Sequence, residues 1–175
     1  GFFVSLKNGT AWFRFLIIMK YTRLTKEQLE ELHPEFINFL ASQSIDKAEW
    51  DAIKANNPQV AEQEIDVFSD LIWEGVLGNA KYLEHYSKNY IFLFHCTEVH
   101  MMTIIIRALV ADVDLLQKDG LQWLSDNLFT DNVEVQRGQK VFADDRNKEI
   151  FELVSQGAIF TDGELYEQMN SILEQ

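Results

Sequence analysis

Between Tyr90 and Arg107 the chain reads YIFLFHCTEVHMMTIIIR, a run in which apolar, aromatic and β-branched residues dominate without a helical period. Tyr90 to His95 and Val99 to Ile106 are two sets of strand formers separated by Cys96, Thr97 and Glu98, which predicts a β-hairpin. No Asn-Gly or Asp-Gly marks its tip, so the turn position within 95–99 stays open and a single bent strand is the alternative. Lys81 to Lys88 predicts a further strand leading into that hairpin, an antiparallel meander around residues 81–107.

Helical spacing dominates on either side. Thr25-Lys26-Glu27-Gln28 has the form of a capping box, and Leu29, Leu32, Phe36, Phe39 and Leu40 keep their spacing straight through Pro34. This predicts one kinked helix or two nearly collinear ones ending near Ser42. Asp46 with Glu49 caps a short helix bearing Trp50 and Ile53, and Asn56, Asn57 and Pro58 end it and begin the next. That third helix, from Gln59 to the neighbourhood of Val76, places Ala61, Ile65, Phe68, Ile72 and Val76 on one face, with Gly78-Asn79 as its stop.

Beyond Arg107, Asp119 is the expected cap of a helix carrying Leu121, Leu124 and Leu128. Val133 to Phe142, interrupted at Arg137-Gly138, predicts a short hairpin. Asp144 or Asp145 opens a helix with Ile150, Leu153 and Val154 that Gly157 stops. Thr161-Asp162-Gly163-Glu164 reads as a second capping box, opening a last helix with Leu165, Met169, Ile172 and Leu173 as its buried stripe. The pattern as a whole predicts an α+β fold: a small antiparallel sheet packed against helices from both the N- and C-terminal parts, with residues 19–175 as a single domain.

Residues 1–18 stand apart. Asn8-Gly9 between two aromatic-rich arms predicts a β-hairpin, while Met19-Lys20-Tyr21 has the look of a natural start, which would make 1–18 an added or upstream-translated extension. A signal peptide is a poor third reading, because Arg14 splits the apolar part and no small-residue cleavage site follows.

Charge narrows the function. The net charge is −13, which argues against a broad nucleic-acid interface, since that affinity comes from Lys and Arg neutralising phosphates. Residues 1–25 hold Lys7, Arg14, Lys20 and Arg23 and no acid, so the rest of the chain carries the whole acidic surplus. A membrane span is not expected, because Glu98, His100 and Arg107 interrupt the most apolar run before it reaches roughly 18 residues. The single cysteine allows no internal disulfide and points to a reducing cytoplasm.

Three constellations carry potential chemistry. If residues 91–102 form one extended strand, Cys96, Glu98 and His100 alternate onto one side, and a thiolate, a carboxylate and an imidazole together form a candidate metal site, against the plainer reading of a partly buried sheet face. A turn at 96–98 would break the alternation. Glu62, Asp66, Asp70 and Glu74, spaced four apart along the third helix, form a ladder that is either a solvated face or a docking face for a basic partner. Glu30-Glu31-Leu32-His33 contains the Glu-x-x-His spacing of di-iron bundles, but only once, and Pro34 disturbs the helix that would aim it. The sequence holds no Gly-rich phosphate loop, Gly-x-Ser-x-Gly, His-Glu-x-x-His or Cys-x-x-Cys, and no cofactor is called for.

The segments MKYTRLTKEQLEELHPEFINFLASQSI, EQEIDVFSDLIWEGVL, YLEHYSKN with LFH after it, and GAIFTDGELYEQM resemble an uncharacterised family of Bacteroidota proteins defined only as a domain of unknown function. The resemblance runs from Met19 to the C-terminus, implies a bacterial cytoplasmic protein of α+β type, and supplies no catalytic residue. The preferred expectation is a non-catalytic acidic interaction or adaptor module with a basic protein partner and no nucleic-acid or membrane partner. The alternatives are a small metal-dependent enzyme using Cys96, Glu98 and His100, and a structural homo-oligomer in which Phe2, Phe3, Trp12 and Phe13 cover a neighbouring subunit.

If residues 1–18 lie outside the fold that begins at Met19, their removal leaves the melting temperature nearly unchanged. A thermal scan showing a drop of more than about 5 °C, roughly 1–2 kcal/mol in a domain of this size, would instead make them integral.

Overall fold

A computed structural model of the chain describes residues 19–175, so the hairpin expected around Asn8-Gly9 lies outside the described residues. The described residues hold seven helices and five strands, divided into two units whose boundary falls between Gly75 and Val76.

Among the described residues of the first unit, which ends at Gly75, the regular elements are all helices. Lys26–Glu31 (α1) and His33–Ser42 (α2) are the two near-continuous pieces that the spacing through Pro34 predicts, with Pro34 in the first turn of α2, where its missing N–H costs nothing. Thr25 and Gln28 form the capping box of α1, and Asp46 and Glu49 that of α3 (Lys47–Asn56). Most of the long helix α4 (Pro58–Asn79) belongs here. Phe68 is its central apolar residue, almost fully buried, with ring centroids 5.1 Å from Phe36 and 5.4 Å from Phe39. Trp50 of α3 meets the edge of Phe36 at 5.3 Å, so one aromatic cluster joins three helices.

The second unit is built on a five-stranded antiparallel sheet of order β4-β3-β2-β1-β5. Its strands are Tyr82–Tyr86 (β1), Tyr90–Cys96 (β2), His100–Ala108 (β3), Val133–Val141 (β4) and Ile159–Thr161 (β5). The run 90–107 therefore supplies the two central strands, and the meander around 81–107 is present with a further strand on each side. Three helices belong to the same unit: Lys118–Asn127 (α5), Arg146–Ser155 (α6) and Glu164–Leu173 (α7).

Register sorts the strand residues onto two faces. Ile91 and Leu93 face the same way as Ile104 and Ile106, and they form the main core with Leu115, with Leu124 of α5 and with Tyr166 and Met169 of α7. The opposite face carries Leu83, Phe94, Cys96 and Met101, all buried. Leu93 and Phe94, neighbours on opposite faces, are 0 % and 7 % exposed. Cover on both faces explains why the sequence there shows neither helical period nor clean alternation.

Several expectations change. Val133–Val141 is one strand paired with β3 along its whole length, with Arg137 opposite Ile104 and Gly138 opposite Thr103, rather than a hairpin. An edge strand tolerates a glycine and charged side chains, because no further strand needs its outer side. On α4 the apolar face does not run on to Val76, which is 44 % exposed; past Gly75 the buried residues are Leu77 and Ala80, which serve the second unit. The N-cap of α5 is Gln117, not Asp119, and Gly120 is demanded by the loop before it, since a Cβ there would lie 1.8 Å from the Asp114 carbonyl oxygen. The last helix starts two residues later than the Thr161 box implies. Gly163 is its N-cap, at φ 85°, and a Cβ at that position would lie 2.4 Å from the Tyr82 ring. Asp162 accepts from the Glu164 N–H, which satisfies the helix end by a local turn instead of a capping box.

Arg146, the first residue of α6, ties three segments of this unit together. Its guanidinium donates to the carbonyls of Leu77 (2.8 Å) and Ala80 at the end of α4 and to the carbonyl of Thr97 (2.7 Å) in the β2–β3 turn. Only the fork of an arginine reaches three carbonyls in different directions. Arg146→Met would keep the apolar stem and leave these acceptors without their donor. It is expected to lower the unfolding free energy by about 2–3 kcal/mol, read from urea denaturation. A change under about 0.5 kcal/mol, the level of an ordinary surface substitution, would show the contacts to be incidental.

Candidate functional site

The ladder of acids lies along α4 with a basic segment seated on it. Residues 19–25 precede α1 without regular structure and run antiparallel to α4. Asp70 accepts from two successive backbone N–H groups, Lys20 at 2.8 Å and Tyr21 at 3.0 Å. Glu74 pairs with the Lys20 ammonium and accepts from the Tyr21 hydroxyl at 2.7 Å. Arg23 spans the other half, its Nε donating to Asp66 at 2.6 Å and its Nη1 pairing with Glu62.

Chain geometry explains the choice of residues. Glu62 and Glu74 are twelve positions apart on the helix, about 18 Å, whereas Lys20 to Arg23 spans at most about 10 Å of backbone. Long basic side chains at the two ends cover the difference. The segment is also anchored beneath the charges, where the Leu24 N–H donates to the Ser69 hydroxyl at 3.1 Å and both residues are buried. Ser69 in turn donates to the Ile65 carbonyl, so its hydroxyl is used in both directions.

The electrostatics follow from these contacts. Asp66 beside Arg23 holds the guanidinium proton still more firmly than usual. Partial burial, then the bond to Glu74, push the Tyr21 phenol up to about 12. Each exposed ion pair contributes roughly 0–1 kcal/mol, because water screens it and two long side chains must be held still.

Cys96, Glu98 and His100 are not brought together. β2 ends at Cys96 and β3 begins at His100, so a tight turn occupies Thr97, Glu98 and Val99. Thr97 closes it: its N–H donates to the His100 carbonyl at 2.9 Å, and its hydroxyl accepts from the His100 N–H. In the register Cys96 lies opposite Met101, on the other face from His100, and Glu98 is exposed at the tip. Among the described residues no three His, Cys, Asp or Glu side chains gather as a metal ion would need. Burial pushes the Cys96 thiol up to about 11, the environment of an inert structural cysteine.

His95 and Tyr82 carry a contact that spacing alone does not reveal. They are cross-strand partners whose rings stack at 4.5 Å, with Tyr166 of α7 at 5.3 Å from His95. The Tyr82 hydroxyl donates to Glu167 at 2.6 Å, and that bond, with burial second, pushes its phenol up to about 12. The sequence hints at it only through the strand expected over Lys81 to Lys88, since the pairing of Tyr82 with His95 depends on where the 86–90 turn falls. An open groove of about 540 Å³ passes the same corner, lined by Val76, Lys81, Tyr82, Phe160 and Asp162 among others.

An open antiparallel sheet packed with helices makes this an α+β protein, and no helix among the described residues is long and apolar enough to cross a membrane. The chain belongs to DUF6495, a family of unknown function whose model matches residues 19–174. The match begins at Met19, where the basic segment of the acidic face also begins. No curated protein and no solved structure matches the chain.

The raised Tyr82 phenol has a measurable consequence. An unfolded tyrosine titrates near 10, so the folded state keeps a proton that the unfolded state releases, and stability falls as pH rises from about 10 to about 12. Tyr82→Phe is expected to flatten that part of the stability–pH curve. Parallel denaturation series at several pH values check it, and identical slopes would contradict the assignment.

Proposed function

We propose that this protein is a non-catalytic, acidic protein-interaction module of adaptor type, which works in the cytoplasm and takes a basic segment of a protein partner on the face formed by Glu62, Asp66, Asp70 and Glu74. The observation that carries this reading is the seat of Lys20, Tyr21 and Arg23 on these carboxylates. It displays in one chain the chemistry that the ladder accepts: a guanidinium between two acids, an ammonium and a phenol on a third, and backbone N–H groups on the fourth. Charges at this level of exposure act on a partner mainly through long-range steering, and so on the rate of encounter. The scattered Cys96, Glu98 and His100 lend no support to metal-dependent catalysis.

Reversing the charge tests the reading. Asp66→Lys/Asp70→Lys is expected to remain folded by circular dichroism, to lose about 1–2 kcal/mol of stability as the bonds from Lys20, Tyr21 and Arg23 go, and to slow association with a basic partner at least tenfold at low salt. The check is a pull-down from native lysate with both proteins, followed by binding kinetics on the captured partner. Capture that charge reversal leaves unchanged would return the ladder to ordinary surface.

A further inference from the structure

We infer that residues 19–25 are an internal ligand of the acidic face, a clasp that a partner of the same chemistry must displace; the inference rests on the reading of that face as a docking site. Each contact of the segment with α4 is one that a separate chain could make. Two successive backbone N–H groups enter the Asp70 carboxylate, a Lys and an Arg three residues apart reach the two ends of the ladder, and a leucine after the arginine is buried beside Ser69. The partner is thus defined as a short irregular segment of the form Lys-aromatic-x-Arg-Leu.

Two features favour a clasp over a permanent part of the core. The charged contacts lie at the surface, with the Lys20 side chain 39 % and the Arg23 side chain 40 % exposed, so each adds little to the cost of opening. The segment also forms neither helix nor strand, and its backbone N–H groups at Lys20, Tyr21 and Leu24 donate to side-chain acceptors of α4. As part of the same chain it competes at an effective concentration of order millimolar. An incoming partner's apparent affinity therefore falls by the fraction of time that the face is open.

The test uses the full chain and a labelled synthetic peptide of residues 19–25, Met-Lys-Tyr-Thr-Arg-Leu-Thr, followed by fluorescence anisotropy. Lys20→Ala/Arg23→Ala weakens the internal ligand and leaves every acid in place, so it is expected to bind the peptide at least tenfold more tightly than the unaltered protein, with the gain shrinking as salt rises and disappearing when Asp66→Asn and Asp70→Asn are added. Equal affinity in the two proteins, lost in both on removing Asp66 and Asp70, overturns the clasp and leaves the docking face standing. No binding to either, or binding that survives loss of both aspartates, overturns both. Hydrogen exchange on the unaltered protein gives a second readout that needs no variant. The amides of Lys20 and Tyr21 are expected to exchange at least tenfold faster than that of Phe68, and equal protection would mean that the segment opens only with its unit and is no clasp.

Discussion

The central pair of strands must be covered on both faces, and most of the second unit answers that requirement. Leu93 and Ile104 turn to one side, Phe94, Cys96 and Met101 to the other, and all are buried. An antiparallel pair with one wet face would show alternating polarity. Here the apolar run is continuous, so α5 and α7 close one side. At the other, the end of α4 and the start of α6 are fastened to the β2–β3 turn through the Arg146 guanidinium. An ammonium, a single point charge on a flexible stem, could not hold three carbonyls in fixed directions.

Glycines mark the places where this packing leaves no room. Gly120 lets a helix begin against the Asp114 carbonyl, and Gly163 lets the chain turn into α7 against the Tyr82 ring. Tyr82 is thereby fixed from one side by backbone and from the other by the His95 ring, and its hydroxyl reaches Glu167 in the first turn of the same helix. The carboxylate acceptor and, second to it, burial act in the same direction on its phenol, which is why it resists ionisation.

The acidic face obeys a different balance. Four carboxylates at a four-residue spacing repel one another, and each such pair costs a few tenths of a kcal/mol in an isolated helix. The segment ahead of α1 offsets that repulsion with two cations, a phenol and two backbone N–H groups. Because these contacts are half in water, they fix the path of residues 19–25 more than they stabilise the fold. The firmer anchor is the apolar one, Leu24 with its N–H on buried Ser69.

What the sequence determined by itself is local. The boxes at Thr25 and Asp46, a cap at Asp144 or Asp145 that falls on Asp145, the stop at Gly157 and the β character of residues 90–107 each follow from residue types within one or two turns of chain, and each is present. The ladder Glu62, Asp66, Asp70, Glu74 was equally legible, because a spacing of four is a property of one helix. Partners were decided elsewhere. Only the fold brings Arg23, some forty residues away in sequence, onto Glu62 and Asp66, and only the strand register parts Cys96 from His100. Arg146 shows the limit most plainly. Glu149 stands three residues ahead of it, where a helix-surface pair would be read, yet that carboxylate takes Lys140 and the Ala143 N–H instead, while the arginine turns to carbonyls of other segments. Propensity and spacing act over a few residues, whereas hydrogen-bond satisfaction of buried backbone is settled by whichever chain segments the packed core brings within 3 Å.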